Sequence, residues 1–451
     1  MINLLKRKYT NLISDPRFSE VLSGSAWSLS ARVLATGLSL AFTVIVARFY
    51  GADVVGILAV INSFLTLATI FTVLGTPTSI LRLIPEHLAK YSPTSAFKLY
   101  RKTQYMVIGV SLVTATLFFL ASSLIADKVF SKPHLSFYFA MTSVFIVFHS
   151  MERLNTQAVR GLKLIRVFAV MQILPQVFKL VFLAALGLFW SSMDVPVYAV
   201  LFSFAMTGTI GWFIMEYGFK KRMKPNDTVH FITGRSVLSI SVPMLMVATM
   251  TFIIGQTGVI MLGIFRSEAD VGYYSIAVKL ATLTAFVLQA VNSMAGPKFS
   301  ELFHSDKLDE LFHVAKKSAK LIFYTTTPIL IGLLVLGKPI LSIFFGHEFA
   351  VAYPAMVLLV LGQFVNSISG ASGLFMNMTG NQNVLRNIMV MTALGNIGLN
   401  LLLIPNYGFN GAAIAAMISI SSWNIATLIY IKFKFGKTVG YFPIFVRKYF
   451  P

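Results

Sequence analysis

Residues 47–56 read Ala47-Arg48-Phe49-Tyr50-Gly51-Ala52-Asp53-Val54-Val55-Gly56, and residues 263–272 read Gly263-Ile264-Phe265-Arg266-Ser267-Glu268-Ala269-Asp270-Val271-Gly272. Each stretch carries an Arg, then Ala-Asp-Val, then a Gly, and each joins two long apolar runs through nothing longer than a turn. A hydrocarbon core of about 30 Å takes roughly 20 apolar residues per helical crossing. Working outward from the two turns, twelve runs meet that length: 24–48, 55–80, 104–126, 135–152, 167–190, 195–218, 236–264, 271–296, 319–345, 353–377, 384–404 and 411–431. Composition agrees. Of 451 residues 56% are hydrophobic and only 12% charged, with a mean hydropathy of +0.77, whereas soluble domains carry about a quarter charged residues. The length would otherwise suggest two or three soluble domains. This composition instead specifies an all-α integral membrane protein and excludes disorder and coiled coil.

The formal charge is +21, so the placement of the basic residues decides what it means. The segments between spans alternate between two faces. One face, with the termini, carries 29 Lys and Arg; the other carries five, namely Arg48, Lys128, Lys132, Arg266 and Lys338. Three more, Arg32, Lys179 and Lys279, fall inside spans. Such asymmetry is the positive-inside pattern. It places both termini in the cytoplasm and directs the charge at anionic headgroups rather than nucleic acid. The basic cluster Lys6-Arg7-Lys8 then reads as a cytoplasmic lead-in, not a signal peptide.

Several functions are excluded. There is no Cys, hence no disulfide framework, thiolate nucleophile or Cys-ligated metal. No Gly-rich phosphate loop is present, which argues against an ATPase. The outer loops are too short for the external domain of a membrane glycosyltransferase, polymerase or ligase. The seven His show no metal spacing, and no Ser-His-Asp or paired-carboxylate arrangement emerges. The reading is a transporter with no catalytic residues, no metal and no cofactor; proton and sodium coupling both stay open.

The likeness of the two opening stretches continues downstream. Span 2 exits through Gly75-Thr76-Pro77 and span 8 through Ala295-Gly296-Pro297. Spans 3 and 9 are each preceded by a basic stretch, Lys98–Lys102 and Lys316–Lys320. This predicts an internal 6+6 repeat. Residues 1–224 form an N-terminal lobe of spans 1–6 and residues 225–451 a C-terminal lobe of spans 7–12, related by an axis along the membrane normal, with a central cavity between them.

Charges inside spans cost several kcal/mol by insertion scales of about 2.5–3.5 each and usually face protein or a water-filled cavity. Arg32 lies about 15 Å into span 1 at 1.5 Å per residue, Lys179 sits near the middle of span 5, and Lys279 lies toward the outer end of span 8. The acids, Glu86, Glu152, Glu216, Asp53, Asp194 and Asp270, read as lying near span ends. Deep cations without deep anions suit an anionic substrate, above all a phosphate or diphosphate. Arg82 stands at the inner end of span 2, four residues from Glu86 and able to pair with it. Arg48 and Arg266 occupy repeat-equivalent outer turns and are outer-gate candidates. Polar residues in spans, among them Asn62, Gln256, Asn292, Gln363 and Asn366, can meet sugar hydroxyls or bridge helices. Pro175, Pro243, Gly255, Gly258, Pro328, Pro354 and Gly362 interrupt spans and are hinge or packing positions.

These residues also carry a family resemblance. The runs Ala47-Arg48-Phe49-Tyr50-Gly51, Leu74-Gly75-Thr76-Pro77, Arg82-Leu83-Ile84-Pro85-Glu86, Val271-Gly272-Tyr273-Tyr274, Ala295-Gly296-Pro297-Lys298-Phe299, Phe345-Gly346-His347-Glu348-Phe349, Asn377-Met378-Thr379-Gly380 and Ile404-Pro405-Asn406-Tyr407-Gly408 stand in order over nearly the whole chain. In this the chain resembles polysaccharide flippases of the O-antigen (Wzx) type in the multidrug/oligosaccharidyl-lipid/polysaccharide exporter superfamily. The resemblance implies two six-helix lobes around a cationic cavity. It implies alternating access that carries a polyprenyl-diphosphate-linked oligosaccharide from the cytoplasmic to the periplasmic leaflet of a bacterial inner membrane, for O-antigen, lipopolysaccharide or other surface polysaccharide. Arg32 and Arg82 would meet the diphosphate. A polysaccharide polymerase and chain-length components are the implied partners beside the lipid bilayer. The pattern departs at one place: Gly258 stands where family members often carry an acid in span 7. An ion-coupled exporter of cationic drugs is the alternative in the same superfamily, but it would want deep acids. A membrane-embedded glycan-processing enzyme would want carboxylates or a large outer loop.

Overall fold

The computed structural model describes residues 16–223 and 233–441. Lys6, Arg7 and Lys8, the turn Lys224-Pro225-Asn226-Asp227, His230, Arg447 and Lys448 lie outside the described residues. Within them the elements are helical. They run α1 Pro16–Val73, α2 Thr76–Lys90, α3 Pro93–Leu124, α4 Leu135–Gly161, α5 Ile165–Phe189, α6 Val195–Lys220, α7 Gly234–Phe265, α8 Glu268–Ala281, α9 Ala285–His304, α10 Leu308–Ile340, α11 Tyr353–Ser369, α12 Ser372–Met378 and α13 Gln382–Phe435.

Among the described residues, ten helical stretches are long and apolar enough to cross a membrane. Two of them, Ser30–Val73 and Gln382–Phe435, hold 44 and 54 residues. Straight, each would run about 66 Å or 81 Å, at least twice a bilayer core. Each is instead broken by a glycine, Gly51 (φ 80, ψ 179) and Gly408 (φ 56, ψ −136), in backbone regions that a side chain disfavours. Counting both limbs of each restores the twelve crossings read from the sequence.

The helix ends differ from the apolar runs in instructive ways. Span 2 stops at Val73 rather than residue 80, because Leu74 (φ 52) and Gly75 (φ 74) turn the chain before Pro77 starts α2. The matching Gly296-Pro297 does not break its helix; α9 runs through it, and span 8 bends earlier, in a 3₁₀ turn at Thr282–Thr284. The physical difference is at the glycine: a Cβ on Gly75 would lie 2.3 Å from the Ser241 carbonyl oxygen, whereas one on Gly296 would meet only the Leu374 side chain at 3.5 Å. Span 10 breaks at Gly370 (φ 61). Span 4 continues nine residues past its apolar run, to Gly161.

The chain forms two compact units. Of the described residues, the first holds those up to Phe42, Leu65–Ala126 and those within Pro133–Met246; the second holds Thr43–Phe64, Asp127–Lys132 and those from Val247 onward. In the first, α2, α3, α4 and α6 close on a core of Ile80, Ile84, Leu99, Tyr100, Leu154, Val159 and Phe219. The Tyr100 hydroxyl donates to Asn155 Oδ1 at 2.7 Å, and Arg101 forks onto both Glu216 oxygens at 2.6 Å. In the second, Phe299, Phe312, Phe375 and Ile431 pack with Phe435. Large apolar side chains such as Leu117, Leu120, Leu188 and Phe189 stay exposed, as lipid-facing surface requires. Buried hydroxyls close onto their own helices, for example Ser143 onto the Phe139 carbonyl at 2.7 Å and Thr326 onto Ile322 at 2.7 Å. Such bonds meet the polarity of these hydroxyls within the helix itself.

Candidate functional site

The two stretches that opened the sequence reading meet inside the second unit. Gly56 packs on the Glu268 carbonyl so closely that a Cβ there would lie 1.8 Å from its oxygen. Gly272 packs on the Ala52 carbonyl in the same way, at 2.2 Å. The contact is reciprocal: each glycine stands four residues after the carbonyl that the other glycine covers. Only the absence of a Cβ on both lets the helix starts cross at this distance.

Charged side chains hold the surrounding turns. Arg48 donates from Nε to the Phe344 carbonyl at 2.9 Å and from Nη2 to that of Ile343. Arg266 donates from Nε to the Ile404 carbonyl at 3.2 Å and from Nη2 to that of Pro405. Each arginine thus covers carbonyls freed at a helix end or kink, a role suited to its fork of donors. Lys132 reaches the Arg266 carbonyl at 2.6 Å and the Glu268 carboxylate at 3.3 Å. Lys279 donates to the Thr43 hydroxyl. The arginines singled out as gate candidates therefore sit at one clasp. Lys279, expected in the cationic cavity, contributes to the same assembly through Thr43.

The remaining cations lie in the first unit. Arg32 is exposed on α1, and Thr36 donates to its carbonyl at 3.0 Å. Arg82 is exposed on α2. The expected Arg82–Glu86 pair gives way to another: Glu86 bonds Lys90 at 2.8 Å. That bond holds the Glu86 carboxyl below the usual range, with Arg82 a weaker electrostatic contributor. Lys179 places Nζ 5.1 Å from the Phe204 ring centroid. It is not without an anion, as the sequence had suggested, because Glu152 acts on it electrostatically. The apolar run ended at residue 152, but α4 does not, so Glu152 sits inside a helix and not at its end. Its neighbour His149 lies one turn away, Nδ1 at 3.5 Å from Glu152 Oε2.

The polar candidates bridge helices or serve their own. Asn62 donates to the Leu58 carbonyl at 2.8 Å. Ser63 Oγ lies 2.8 Å from Gln256 Oε1 and 2.9 Å from the Ala59 carbonyl. Asn366 donates to Gln363 at 3.1 Å, and Asn292 Oδ1 is buried without a hydrogen-bond partner. At Gly258, a Cβ would lie 2.7 Å from the hydroxyl of Tyr274, a buried residue; the phenol fills the place a side chain would take. Sequence reasoning missed the His149–Glu152 pair, whose i,i+3 spacing was visible, and the Lys132–Glu268 bridge, for which spacing gave no signal.

Comparison with known proteins gives this geometry a family. A profile described as a polysaccharide biosynthesis protein matches residues 18–354, about three quarters of the chain. A probable low-salt glycan biosynthesis flippase, Agl15 of Haloferax volcanii, is 25% identical over 185 residues, 40% of this chain and 39% of that protein. The chain thus spans about two fifths of that relative's length in the match. Among solved structures, the lipid II flippase MurJ in an inward closed conformation superposes with a TM-score of 0.72 over 91% of this chain and 87% of that one, at 15% identity. An inward-facing multidrug resistance MATE family transporter of the MOP superfamily gives 0.65 over 91% and 98%, also at 15%. The fold is accordingly the twelve-helix, two-lobe fold of those transporters, and the chain belongs to the polysaccharide biosynthesis protein family.

Proposed function

We propose that this protein is a flippase that moves a polyprenyl-diphosphate-linked oligosaccharide from the cytoplasmic to the outer leaflet by alternating access. The observation that carries the reading is the family match over residues 18–354, joined by the exposed basic side chains Arg32 and Arg82 of the first unit. Basic side chains within or beside spans suit an anionic headgroup, and a diphosphate is such a group. Its similarity to a probable glycan biosynthesis flippase, and in fold to a lipid II flippase, supports the substrate class. In this reading Arg32 and Arg82 meet the diphosphate as the sugar enters from the cytoplasm, and residues 1–224 and 225–451 are the moving lobes. The Gly56–Gly272 clasp with Arg48 and Arg266 is the closed outer gate. Both termini face the cytoplasm of a bacterial inner membrane, the product feeds O-antigen or another surface polysaccharide, and a polymerase takes it up. The drug-exporter alternative has less support, because the exposed deep charge is basic.

The test is leaflet exchange. Reconstituted in liposomes with a fluorescent polyprenyl-diphosphate sugar, the protein should expose the lipid to an impermeant quencher. Arg32→Ala and Arg82→Ala should each lower that rate at least tenfold, as loss of one charged hydrogen bond of about 1.5–3 kcal/mol implies, while inserting normally. Full exchange in both variants would remove the diphosphate contact. No exchange of any lipid-linked sugar, with uptake of an organic cation in the same vesicles, would favour the exporter.

A further inference from the structure

Three helices of the first unit converge on a buried group of ionisable side chains that the proposed transport does not use. α4 supplies His149 and Glu152, α5 supplies Lys179 and α6 supplies Phe204. The His149 ring centroid lies 4.2 Å from that of Phe204, and Lys179 Nζ lies 5.1 Å from the same ring. One aromatic side chain thus spaces the imidazole from the ammonium. The approach is fixed by backbone: Gly208 of α6 packs on the Phe148 carbonyl, where a Cβ would lie 2.6 Å away. His149 is 6% exposed and Glu152 9%. Thr156 Oγ1 lies 3.5 Å from Glu152 Oε1.

Helix rise places the group deep. His149 lies about 18 Å and Glu152 about 14 Å from the Gly161 end of α4, and Lys179 about 21 Å from the Ile165 end of α5. The adjacent ends of two antiparallel neighbours make these matching depths. Only one other charged residue among those described, Arg153 on α4 itself, acts on the His149–Glu152 pair; from α5 the acting charge is Lys179, and α6 contributes the Phe204 ring. Arg101 of α3 and Glu216 of α6 are paired with each other.

With Glu152 ionised, Lys179 charged and His149 neutral, the three sum to zero. A buried ion pair needs no third titratable group, and an imidazole is the side chain whose ordinary titration falls near physiological pH. His149 Nδ1, 3.5 Å from Glu152 Oε2, is too far for a settled hydrogen bond, but close enough for a proton on that nitrogen to be held by the carboxylate. Gln172, Gln176 and Lys179 follow one another at spacings of four and three, on one face of α5 toward its Ile165 end. Buried amide atoms of both glutamines, Gln172 Nε2 and Gln176 Oε1, have no hydrogen-bond partner within the protein, so the face of α5 leading to Lys179 is polar.

We propose that His149, Glu152 and Lys179 form an intramembrane proton-binding site: one proton passes from water to His149 Nδ1, is held by Glu152, and is opposed by the neighbouring ammonium of Lys179. Occupancy of this site makes transport pH-dependent. That second clause rests on the flippase reading; the first does not.

The test separates them. Full-length protein with 15N-labelled histidine is titrated by NMR in nanodiscs, and His149→Gln identifies the signal. The His149 signal should change as the pH is lowered and Nδ1 takes up a proton. Glu152→Gln should lower its midpoint by about one unit or more, and Lys179→Met should raise it, since the neighbouring charges have opposite signs. A purely structural role predicts no such pair of opposed shifts. No titration of His149 over the range in which the protein stays folded, or shifts of the same sign, overturns the site; either variant alone suffices if the other fails to fold. In liposomes, exchange of the polyprenyl-diphosphate sugar should vary with pH in the wild type and lose that dependence in His149→Gln. A wild-type profile retained in His149→Gln overturns the coupling. Absence of exchange at every pH counts against the flippase reading, while the NMR midpoints stand.

Discussion

Gly56→Ala and Gly272→Ala test the clasp directly. A Cβ at 56 would lie 1.8 Å from the Glu268 carbonyl oxygen and one at 272 would lie 2.2 Å from that of Ala52, against ordinary contact from 3.4 Å. The backbones must therefore separate by 1.6 Å (3.4 − 1.8) or 1.2 Å (3.4 − 2.2). Both obstacles are backbone, which cannot swing aside as a side chain can. Overpacking of this kind costs about 1–3 kcal/mol, which lowers the clasped population by roughly 5- to 150-fold. The chain has no cysteine, so a single Ala52→Cys gives a clean reporter at a site that is 4% exposed. Labelling by a membrane-impermeant maleimide should accelerate by the same factor in either glycine variant. Gly37→Ala, where a Cβ would have nothing within 4 Å, serves as the control and should not change the rate. Unchanged labelling in both clasp variants, with the protein still folded, would refute the reasoning.

Other expectations follow from the packing described above. Arg101→Met and Glu216→Gln should each destabilise the first unit by about 1.5–3 kcal/mol, the worth of charge-assisted hydrogen bonds, and should couple in a double-mutant thermal-denaturation cycle; simple additivity would deny the pair any role. Gly258→Ala should destabilise by about 1–3 kcal/mol through collision with Tyr274, and Tyr274→Phe should recover part of the loss; a Gly258→Ala protein as stable as wild type would contradict the packing. Lys437 bonds Asp309 and holds its carboxyl below the usual range. Because the folded value is the lower one, the tie is intact above the ordinary carboxylate range and is lost as pH falls through the depressed value. Amide exchange over residues 436–441 should rise on that acid side, and Asp309→Asn should reproduce the rise at neutral pH; no effect of Asp309→Asn would remove the tie.

Crossings were legible in the sequence because hydropathy and length are properties of the chain taken alone. So were the two turns, whose Arg and Gly positions read as equivalents before any contact was known. What the turns touch was not legible. Arg48 and Arg266 bond main-chain carbonyls, and a carbonyl leaves no mark on residue identity. Glu152 was misplaced for a related reason: an apolar run ends where polarity begins, but α4 keeps its hydrogen bonds to Gly161. That error hid the anion beside Lys179. Gly75-Thr76-Pro77 and Ala295-Gly296-Pro297 look alike as text, yet only the first lies against a carbonyl that forces a break. The same letters bend or do not bend according to what presses on them.

The reciprocal glycine contact has the logic of an isologous interface, in which residue i of one member meets residue j of the other and j of the first meets i of the second. Such a rule belongs to two-fold dimers of identical subunits, and here one polypeptide obeys it between residues 52–56 and 268–272. Self-complementarity of this kind makes the two glycines mechanically interchangeable, though 216 positions separate them. It also leaves no preference for either side within the contact itself. Any directionality in opening must then come from the neighbours that break the symmetry, first among them Lys132, which grips the Glu268 side.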